Sequence, residues 1–186
     1  MRFDAYTATT TTATPSEVLA ASAGVFGLFA DMQMKQGKGQ HQFGEKLAIT
    51  DDGREVMAVQ WGGSHGDRVM VEVKGERTPA AVEAFRAAFR HRVTRVDACA
   101  DFDAPGVFDE LYKKCVKVKR ANRLKGSKHG DWDDYPEDGR TLYLGSPNSA
   151  VRARLYEKGK QPGYVHLGRS DWVRLEVQAR PASPEQ

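Results

Sequence analysis

One strand-turn-strand segment, residues 139 to 159, carries the pattern that points most clearly to chemistry. Polar and apolar residues alternate from 141 to 145, residues 146 to 148 are typical of a turn, and a second alternating run follows. In that run one face holds Val151, Ala153 and Leu155, and the other holds Arg152, Arg154, Tyr156 and Lys158. Like charges on one strand face repel unless an anion lies between them. The pattern therefore favours a polyanionic ligand, and one with a reactive phosphorus would suit the tyrosine.

Two other predicted strands present polar residues with the same period-two spacing. Arg95 and Asp97 share one face of the first strand, and Arg174 and Glu176 share one face of the second. The apolar residues of both strands point the opposite way. If these strands are neighbours of the tyrosine strand, one tyrosine, two carboxylates and several cations meet on one open surface of a sheet.

The tyrosine on this surface is a candidate nucleophile. A tyrosine can form a covalent intermediate if its phenolate is stabilised. Arg154 and Lys158 lie two residues to either side of Tyr156, and their positive charges favour its phenolate. The ordinary alternative is a tyrosine that packs against a cross-strand neighbour.

The carboxylates on the same surface are candidate metal ligands. Asp97 and Glu176 could hold a hard divalent cation such as Mg²⁺ or Mn²⁺ through oxygen, and Glu72 is a weaker third candidate. Such a metal polarises a phosphoryl oxygen and orients it for in-line attack. The ordinary alternative is that these carboxylates form surface ion pairs of little energetic consequence. The five histidines are scattered, and no His-x-His pair exists.

A basic run follows the third predicted helix and contains no acid between residues 113 and 128. Its cations are Lys113, Lys114, Lys117, Lys119, Arg120, Arg123, Lys125 and Lys128. Such a run is often a solvated helix end favoured by the helix dipole. It would also give a sequence-independent grip on a nucleic-acid backbone.

The remaining pattern predicts α+β architecture, with a mainly antiparallel sheet backed by helices on one face. Strands are predicted near residues 2–9, 41–49, 55–61, 68–74, 92–102, 141–145, 151–158 and 172–180. Helices are predicted to start at Thr14-Pro15, Thr78-Pro79 and Asp103 to Pro105; the first carries Val18, Val25, Phe26 and Phe29 on its apolar face. Residues 33–42, rich in Gly, Lys and Gln, predict a mobile loop.

Length and composition bound the class of protein. The 186 residues suit one domain over residues 1–180, with 181–186 as a frayed end or linker. The formal net charge is only +3. Cys99 and Cys115 have no metal-ligand spacing and fit a reduced compartment. Neither a transmembrane span nor a signal peptide is predicted, so we expect a cytoplasmic protein without membrane attachment.

Three motifs occur in order and together resemble the Rep-trans replication initiation factor family of small plasmids and filamentous phages. They are TRVDACADFD at 94–103, TLYLGS at 141–146 with RLYEK at 154–158, and WVRLEVQAR at 172–180. The resemblance covers about residues 68 to 180, and the opening FDAYTAT at 3–9 is similar to the first strand of phage-type members.

This resemblance implies a rolling-circle initiator that nicks one DNA strand at a replication origin. The tyrosine, here Tyr156, would stay joined to the 5′ phosphate and leave a 3′ hydroxyl for synthesis and later rejoining. The resemblance also implies a metal-dependent enzyme, with Asp97 and Glu176 as the motif acids, and a sheet related to that of other rolling-circle initiators. The predicted DNA contacts are Arg95, Arg152, Arg154, Lys158, Arg174 and the basic run, in particular Lys113, Lys114, Lys117, Lys119 and Arg120.

A second class of function stays open, namely a module that binds single-stranded nucleic acid on the same sheet face without cutting it. For the initiator, the DNA at the nick site would be single-stranded or a hairpin. A host helicase and a second copy of the chain are further candidate partners.

Overall fold

The computed structural model describes residues 1–27, 32–133 and 138–181, which fold into ten strands and three helices. The strands are β1 (Arg2–Thr10), β2 (Met32–Lys38), β3 (Glu45–Asp51), β4 (Arg54–Trp61), β5 (Val69–Lys74), β6 (Arg92–Asp103), β7 (Gly126–His129), β8 (Thr141–Leu144), β9 (Val151–Glu157) and β10 (Trp172–Ala179). The helices are α1 (Pro15–Phe26), α2 (Thr78–Ala88) and α3 (Val107–Ala121).

The chain forms two compact units. The N-terminal unit contains Phe3–Asp97 together with Arg180 and Pro181, and the C-terminal unit contains Met1–Arg2 and Ala98–Ala179. Strand β6 therefore contributes its first half to one unit and its second half to the other. The assignment of residues 1–180 to a single domain stays a prediction.

In the N-terminal unit, an antiparallel sheet in the order β2-β3-β4-β5-β1 packs against two helices. Helix α1 begins at the predicted Thr14-Pro15 pair, where a capping box forms: the Thr14 hydroxyl accepts from the Glu17 backbone N–H at 3.3 Å, and the Glu17 carboxylate accepts from the Thr14 N–H at 2.7 Å. The core joins Val18 and Phe26 of α1 and Phe85 of α2 to the apolar face of the sheet. The predicted core position Phe29 lies outside the described residues.

The prediction of a loop at residues 33–42 is wrong for most of its length. Each residue of β2 pairs with one of β3, from Met32 opposite Asp51 to Lys38 opposite Glu45. Strand β2 is the outer strand of this sheet and is largely exposed, so it needs no alternation of apolar residues. Backbone pairing, which composition does not reveal, makes this segment a strand.

In the C-terminal unit, the second half of β6 is followed in the sheet by β10, β9, β8 and β7. Helix α3 covers one face of this sheet with Phe108 and Cys115, which pack against Leu142, Leu155 and Val173. Helix α3 starts at Val107, slightly later than the predicted start at Asp103 to Pro105, after Gly106 in the left-handed conformation.

The predicted fold class is confirmed: antiparallel strands dominate, and helices cover one face of the sheet in each unit. Helix α2 starts as predicted at Thr78 and Pro79, but Thr78 does not cap it. Its hydroxyl instead donates to the carbonyl of Asp4 at 3.3 Å. None of the described helices combines the length and apolar composition of a membrane span.

Candidate active site

Two rows of side chains cross the C-terminal sheet on the face that α3 leaves open. In the first row, Thr141 of β8, Tyr156 of β9 and Arg174 of β10 lie directly opposite one another. In the second, Tyr143, Arg154 and Glu176 do the same. Strands β6, β10 and β9 are adjacent in that order, so the tyrosine strand is a neighbour of the Trp-x-Arg-x-Glu strand, as the site prediction requires.

Alternation along β9 explains why Tyr156 faces away from the helix. Leu155 belongs to the core beneath α3. Because side chains alternate along a strand, the next residue, Tyr156, points to the other face of the sheet. Tyr156 is nevertheless only 2% exposed. Its burial is therefore not explained by packing beneath α3.

Two of the predicted cations contact the Tyr156 ring. The guanidinium carbon of Arg154 lies 4.2 Å from the ring centre, and the ammonium nitrogen of Lys158 lies 5.9 Å from it. Both distances are within the range of cation–π attraction. These charges also favour negative charge on the phenol oxygen.

Lys158 reaches this position from beyond the strand, which ends at Glu157 rather than at Lys158. It is buried, and its ammonium lies 3.8 Å from the centre of the Tyr164 ring. A Cβ atom at the next residue, Gly159, would clash with the carbonyl oxygen of Arg169. Glycine thus allows the close backbone approach that holds Lys158 in place.

Arg154 joins the tyrosine to a carboxylate. One of its terminal nitrogens donates to the Glu176 carboxylate at 2.9 Å. Burial alone would lower the pKa of Arg154, but Glu176 and the phenol oxygen of Tyr156 raise it overall. Arg154 is therefore a fixed positive charge beside the tyrosine.

Each of the two arginines of β9, Arg152 and Arg154, has a buried N–H donor without an acceptor among the described residues. In both residues this donor is Nε. The Arg152 guanidinium stacks 4.0 Å from the Tyr143 ring centre, and no carboxylate within the described ranges pairs with it. Because unsatisfied buried donors are costly and rare, Arg152 and Arg154 are suited to an anionic ligand.

Arg174, a predicted DNA contact, is engaged by a residue that the site prediction missed. Its Nε and one terminal nitrogen donate to Asp101 at 2.7 and 3.0 Å, and the Trp172 indole donates to the same carboxylate at 2.9 Å. Burial would raise the pKa of Asp101, but these hydrogen bonds hold it below its ordinary value. Period-two spacing places Asp101 on the same strand face as Asp97, and this was the available signal.

The predicted metal ligands are divided between the units. Glu176 belongs to the C-terminal unit, and Asp97 and Glu72 belong to the N-terminal unit. Asp97 is buried and accepts from two nitrogens of Arg95, one of them at 2.9 Å, while Glu72 lies 3.4 Å from the Lys74 ammonium.

As arranged, these carboxylates do not form a metal site. Each faces a cation of its own unit, and within residues 1–27, 32–133 and 138–181 no three His, Cys, Asp or Glu side chains are placed to hold a metal ion.

The basic residues of α3 are not brought together with Tyr156. Phe108 and Cys115 turn the inner side of the helix to the sheet, and the cations lie on its outer side. Lys113, Lys114, Lys117 and Arg120 are exposed, and Lys119 is partly buried. The sheet separates them from the tyrosine face.

Comparisons with known proteins agree with this architecture. The family model described as "Replication initiation factor" matches residues 91–183, which is half of the chain. The solved structure of the rolling circle replication initiator protein from Geobacillus stearothermophilus has the same fold, with a TM-score of 0.61 at 22% sequence identity, over 96% of this chain and 73% of that chain. No curated protein matches the sequence.

Proposed function

The chain belongs to the replication initiation factor family, and on that premise we propose that it nicks and rejoins one DNA strand at a replication origin through Tyr156. The observation that carries this proposal is the surrounding of Tyr156. Tyr156 lies between the Arg154 and Lys158 cations, and its strand also carries the Arg152 Nε donor, which has no partner among the described residues.

In the proposed reaction, the Tyr156 oxygen attacks the phosphorus of the scissile phosphodiester. A tyrosyl oxygen–phosphorus bond forms as the bond from phosphorus to the 3′ oxygen breaks. The phenol proton leaves to solvent, and the departing 3′ oxygen takes up a proton. Rejoining is the same exchange in reverse, and it needs no nucleotide because the phosphodiester energy is kept in the phosphotyrosine.

The arginines would bind the phosphate oxygens during this exchange. A phosphate at the tyrosine can accept hydrogen bonds from the Nε atoms of Arg152 and Arg154, which lack protein partners among the described residues. It would also draw Arg154 and Lys158 toward itself and so uncover the tyrosine ring. Arg174 lies directly opposite Tyr156, and because Asp101 already engages it, we expect it to make a weaker phosphate contact than Arg152 and Arg154.

Mg²⁺ or Mn²⁺ is the proposed cofactor, in keeping with the motif acids. Asp97, Glu176 and Glu72 are the proposed ligands. They would first have to leave Arg95, Arg154 and Lys74.

The test is incubation of the chain with supercoiled DNA that carries the origin of its parent replicon, with Mg²⁺ or Mn²⁺ present. We expect a nicked circle and a protein–DNA adduct that survives denaturant, with the DNA-linked peptide containing Tyr156. Tyr156→Phe should form no adduct. An adduct that persists in this variant would assign the nucleophile to another residue.

The burial of Tyr156 favours one rival, a sheet face that binds single-stranded DNA without cutting it. In that case the unmutated chain forms no adduct with any origin DNA, and Tyr156→Phe binds oligonucleotides as tightly as the unmutated chain does. The adduct assay therefore separates the two functions.

We further propose origin DNA, single-stranded or in a hairpin at the nick, as the main partner in the cytoplasm. A host helicase and a second copy of the chain are additional proposed partners. Sedimentation of the chain with and without origin DNA tests the second copy, and co-purification of the initiation complex tests the helicase.

A further inference from the structure

A pocket of about 650 Å³ opens in the N-terminal unit where the end of α2, the start of β6 and strand β1 come together. Its walls include Tyr6, Thr12, Arg86, Phe89, Arg90 and His91. We name it the Arg86 pocket. The lining contains three basic side chains and no carboxylate within the described part of the chain. None of these residues takes part in the proposed nicking reaction.

The two arginines of the pocket are not neutralised. Among the described residues, no hydrogen bond or ion pair engages the guanidinium of Arg86 or of Arg90. By contrast, Arg77 and Arg95 of the same unit each pair with an aspartate. Both residues are exposed, and two positive charges that line one pocket favour an anion between them.

The floor of the pocket is polar and fixed. The Tyr6 hydroxyl lies 2.6 Å from His91 Nε2, and His91 Nδ1 lies 3.0 Å from the Phe89 carbonyl oxygen. Since that carbonyl can only accept, Nδ1 carries the proton, and Nε2 accepts from the tyrosine. Arg86 and Tyr6 both line the pocket. Burial raises the pKa of Tyr6, and the positive charge of Arg86 opposes that rise.

The backbone that carries Arg90 is also held in place. The hydroxyls of Thr10 and Thr12 both donate to the Arg90 carbonyl oxygen, at 2.7 and 3.0 Å. The aromatic ring of Phe89 packs against those of Phe85 and His91. The pocket is therefore formed before any ligand arrives, which lowers the entropic cost of binding.

We propose that the Arg86 pocket binds a phosphate group between the guanidiniums of Arg86 and Arg90. A guanidinium offers paired N–H donors that match phosphate oxygens, and two of them match its charge. The volume suits a nucleotide-sized group rather than a bare ion. The phosphate can belong to the DNA backbone or to a free nucleotide, since both present the same oxygens.

The test compares Arg86→Gln and Arg90→Gln with Arg68→Gln in the full chain. Arg68 is an exposed arginine of the same unit without a side-chain partner among the described residues, so this control removes the same charge elsewhere. One arm measures the anisotropy of a fluorescent 20-base-pair duplex at several salt concentrations. The other follows the His91 imidazole signal by NMR during titration with inorganic phosphate and with AMP. Melting temperatures establish that each variant is folded.

We expect each pocket variant to weaken duplex binding about 3- to 10-fold and to reduce the salt slope by about one, while Arg68→Gln stays within about twofold. An effect on the duplex alone identifies the DNA backbone as the occupant. A saturable His91 shift that is lost in Arg86→Gln, without a duplex effect, identifies a free phosphate or nucleotide. If both pocket variants match Arg68→Gln in both arms, the proposal is overturned. Adduct formation at Tyr156 is scored separately, so its failure does not decide the pocket.

Discussion

The guanidinium of Arg154 stacks on the ring of Tyr156 at 4.2 Å and at the same time donates to Glu176 at 2.9 Å. One arginine thus connects the tyrosine and a carboxylate that the sequence motifs place on separate strands. Any ligand that takes the arginine from one partner changes the surroundings of both. The residues of this face are therefore best tested through Arg154.

Arg154→Ala should slow adduct formation about 100-fold, which is within the range known for removal of one stabilising donor from an active site, and Arg154→Lys should slow it less, about 10-fold. Lysine keeps the positive charge but loses the planar donor set and the stacking on Tyr156. The measurement is the single-turnover rate of adduct formation on origin DNA. Arg68→Lys serves as a control and should leave the rate unchanged. Equal rates for Arg154→Ala and the unmutated chain would remove Arg154 from the reaction.

Asp101→Asn should loosen Arg174 and make stability less dependent on pH. The pKa of Asp101 is lowered in the fold, so its contribution is present above the ordinary aspartate pKa and lost as the pH falls through the lowered value. We expect a loss of about 1 kcal/mol at pH 7, since the carboxylate is partly exposed, and a loss that shrinks as the pH falls below the ordinary aspartate pKa. Thermal unfolding of both proteins across this pH range measures the difference. A constant difference at every pH would contradict the ion-pair explanation.

Glu157→Gln should be more costly, because Glu157 is buried and anchors Arg140. Its carboxylate accepts from the Arg140 backbone at 2.7 Å and from two guanidinium nitrogens at 3.1 Å, and Lys160 lies 3.1 Å away. Burial would raise the pKa of Glu157, but Arg140 and Lys160 lower it overall. We expect the free energy of unfolding in urea to fall by about 3 kcal/mol at pH 7. This loss should shrink as acid protonates Glu157 in the unmutated chain.

The matched control for Glu157 is Asp109→Asn. Asp109 accepts from the same arginine at 2.9 Å but is exposed on α3. It should cost less than about 0.5 kcal/mol. Similar losses for the two variants would show that burial does not set the strength of these pairs.

The predicted metal dependence leads to a distinct expectation for the free chain. Asp97, Glu176 and Glu72 each face a cation, so Mn²⁺ should bind only weakly in the absence of DNA, without saturation below about 1 mM. Chelation with EDTA should nevertheless stop adduct formation. Mn²⁺ titration by electron paramagnetic resonance measures the binding, with Asp171→Asn as a surface control. Tight binding to the free chain would show that the carboxylates rearrange without a ligand.

Periodicity was enough to predict most of the fold. The apolar alternation on β9 correctly predicted that Leu155 and Ala153 face the core, although Val151 at the start of the strand is exposed. The Thr14-Pro15 pair correctly predicted the start of α1. Strand β2 was predicted to be a loop, because an exposed outer strand is held by its backbone pairing and shows no pattern of apolar residues.

The site was harder to predict, because alternate spacing along a strand shows which face of the sheet a side chain lies on but not which residue it pairs with. Asp97 and Asp101 are spaced so that they lie on the same face of β6, yet Asp97 pairs with Arg95 and Asp101 pairs with Arg174. Only the three-dimensional position along neighbouring strands distinguishes them. The burial of Tyr156 was equally hard to predict, because the alternation on β9 places Tyr156 on the face away from the core, yet the side chain is buried there.

The cations of α3 lie across the sheet from Tyr156 and should act on DNA separately from it. A triple variant, Lys113→Gln with Lys114→Gln and Lys117→Gln, should weaken binding of long duplex DNA and reduce its salt slope by about two to three. Adduct formation on a short single-stranded oligonucleotide should stay within about twofold, because such a substrate reaches the tyrosine face only. Anisotropy measures the first effect and a denaturing gel the second, and the melting temperature should not change because these side chains are exposed. A parallel loss of both activities would mean that one short strand contacts both layers.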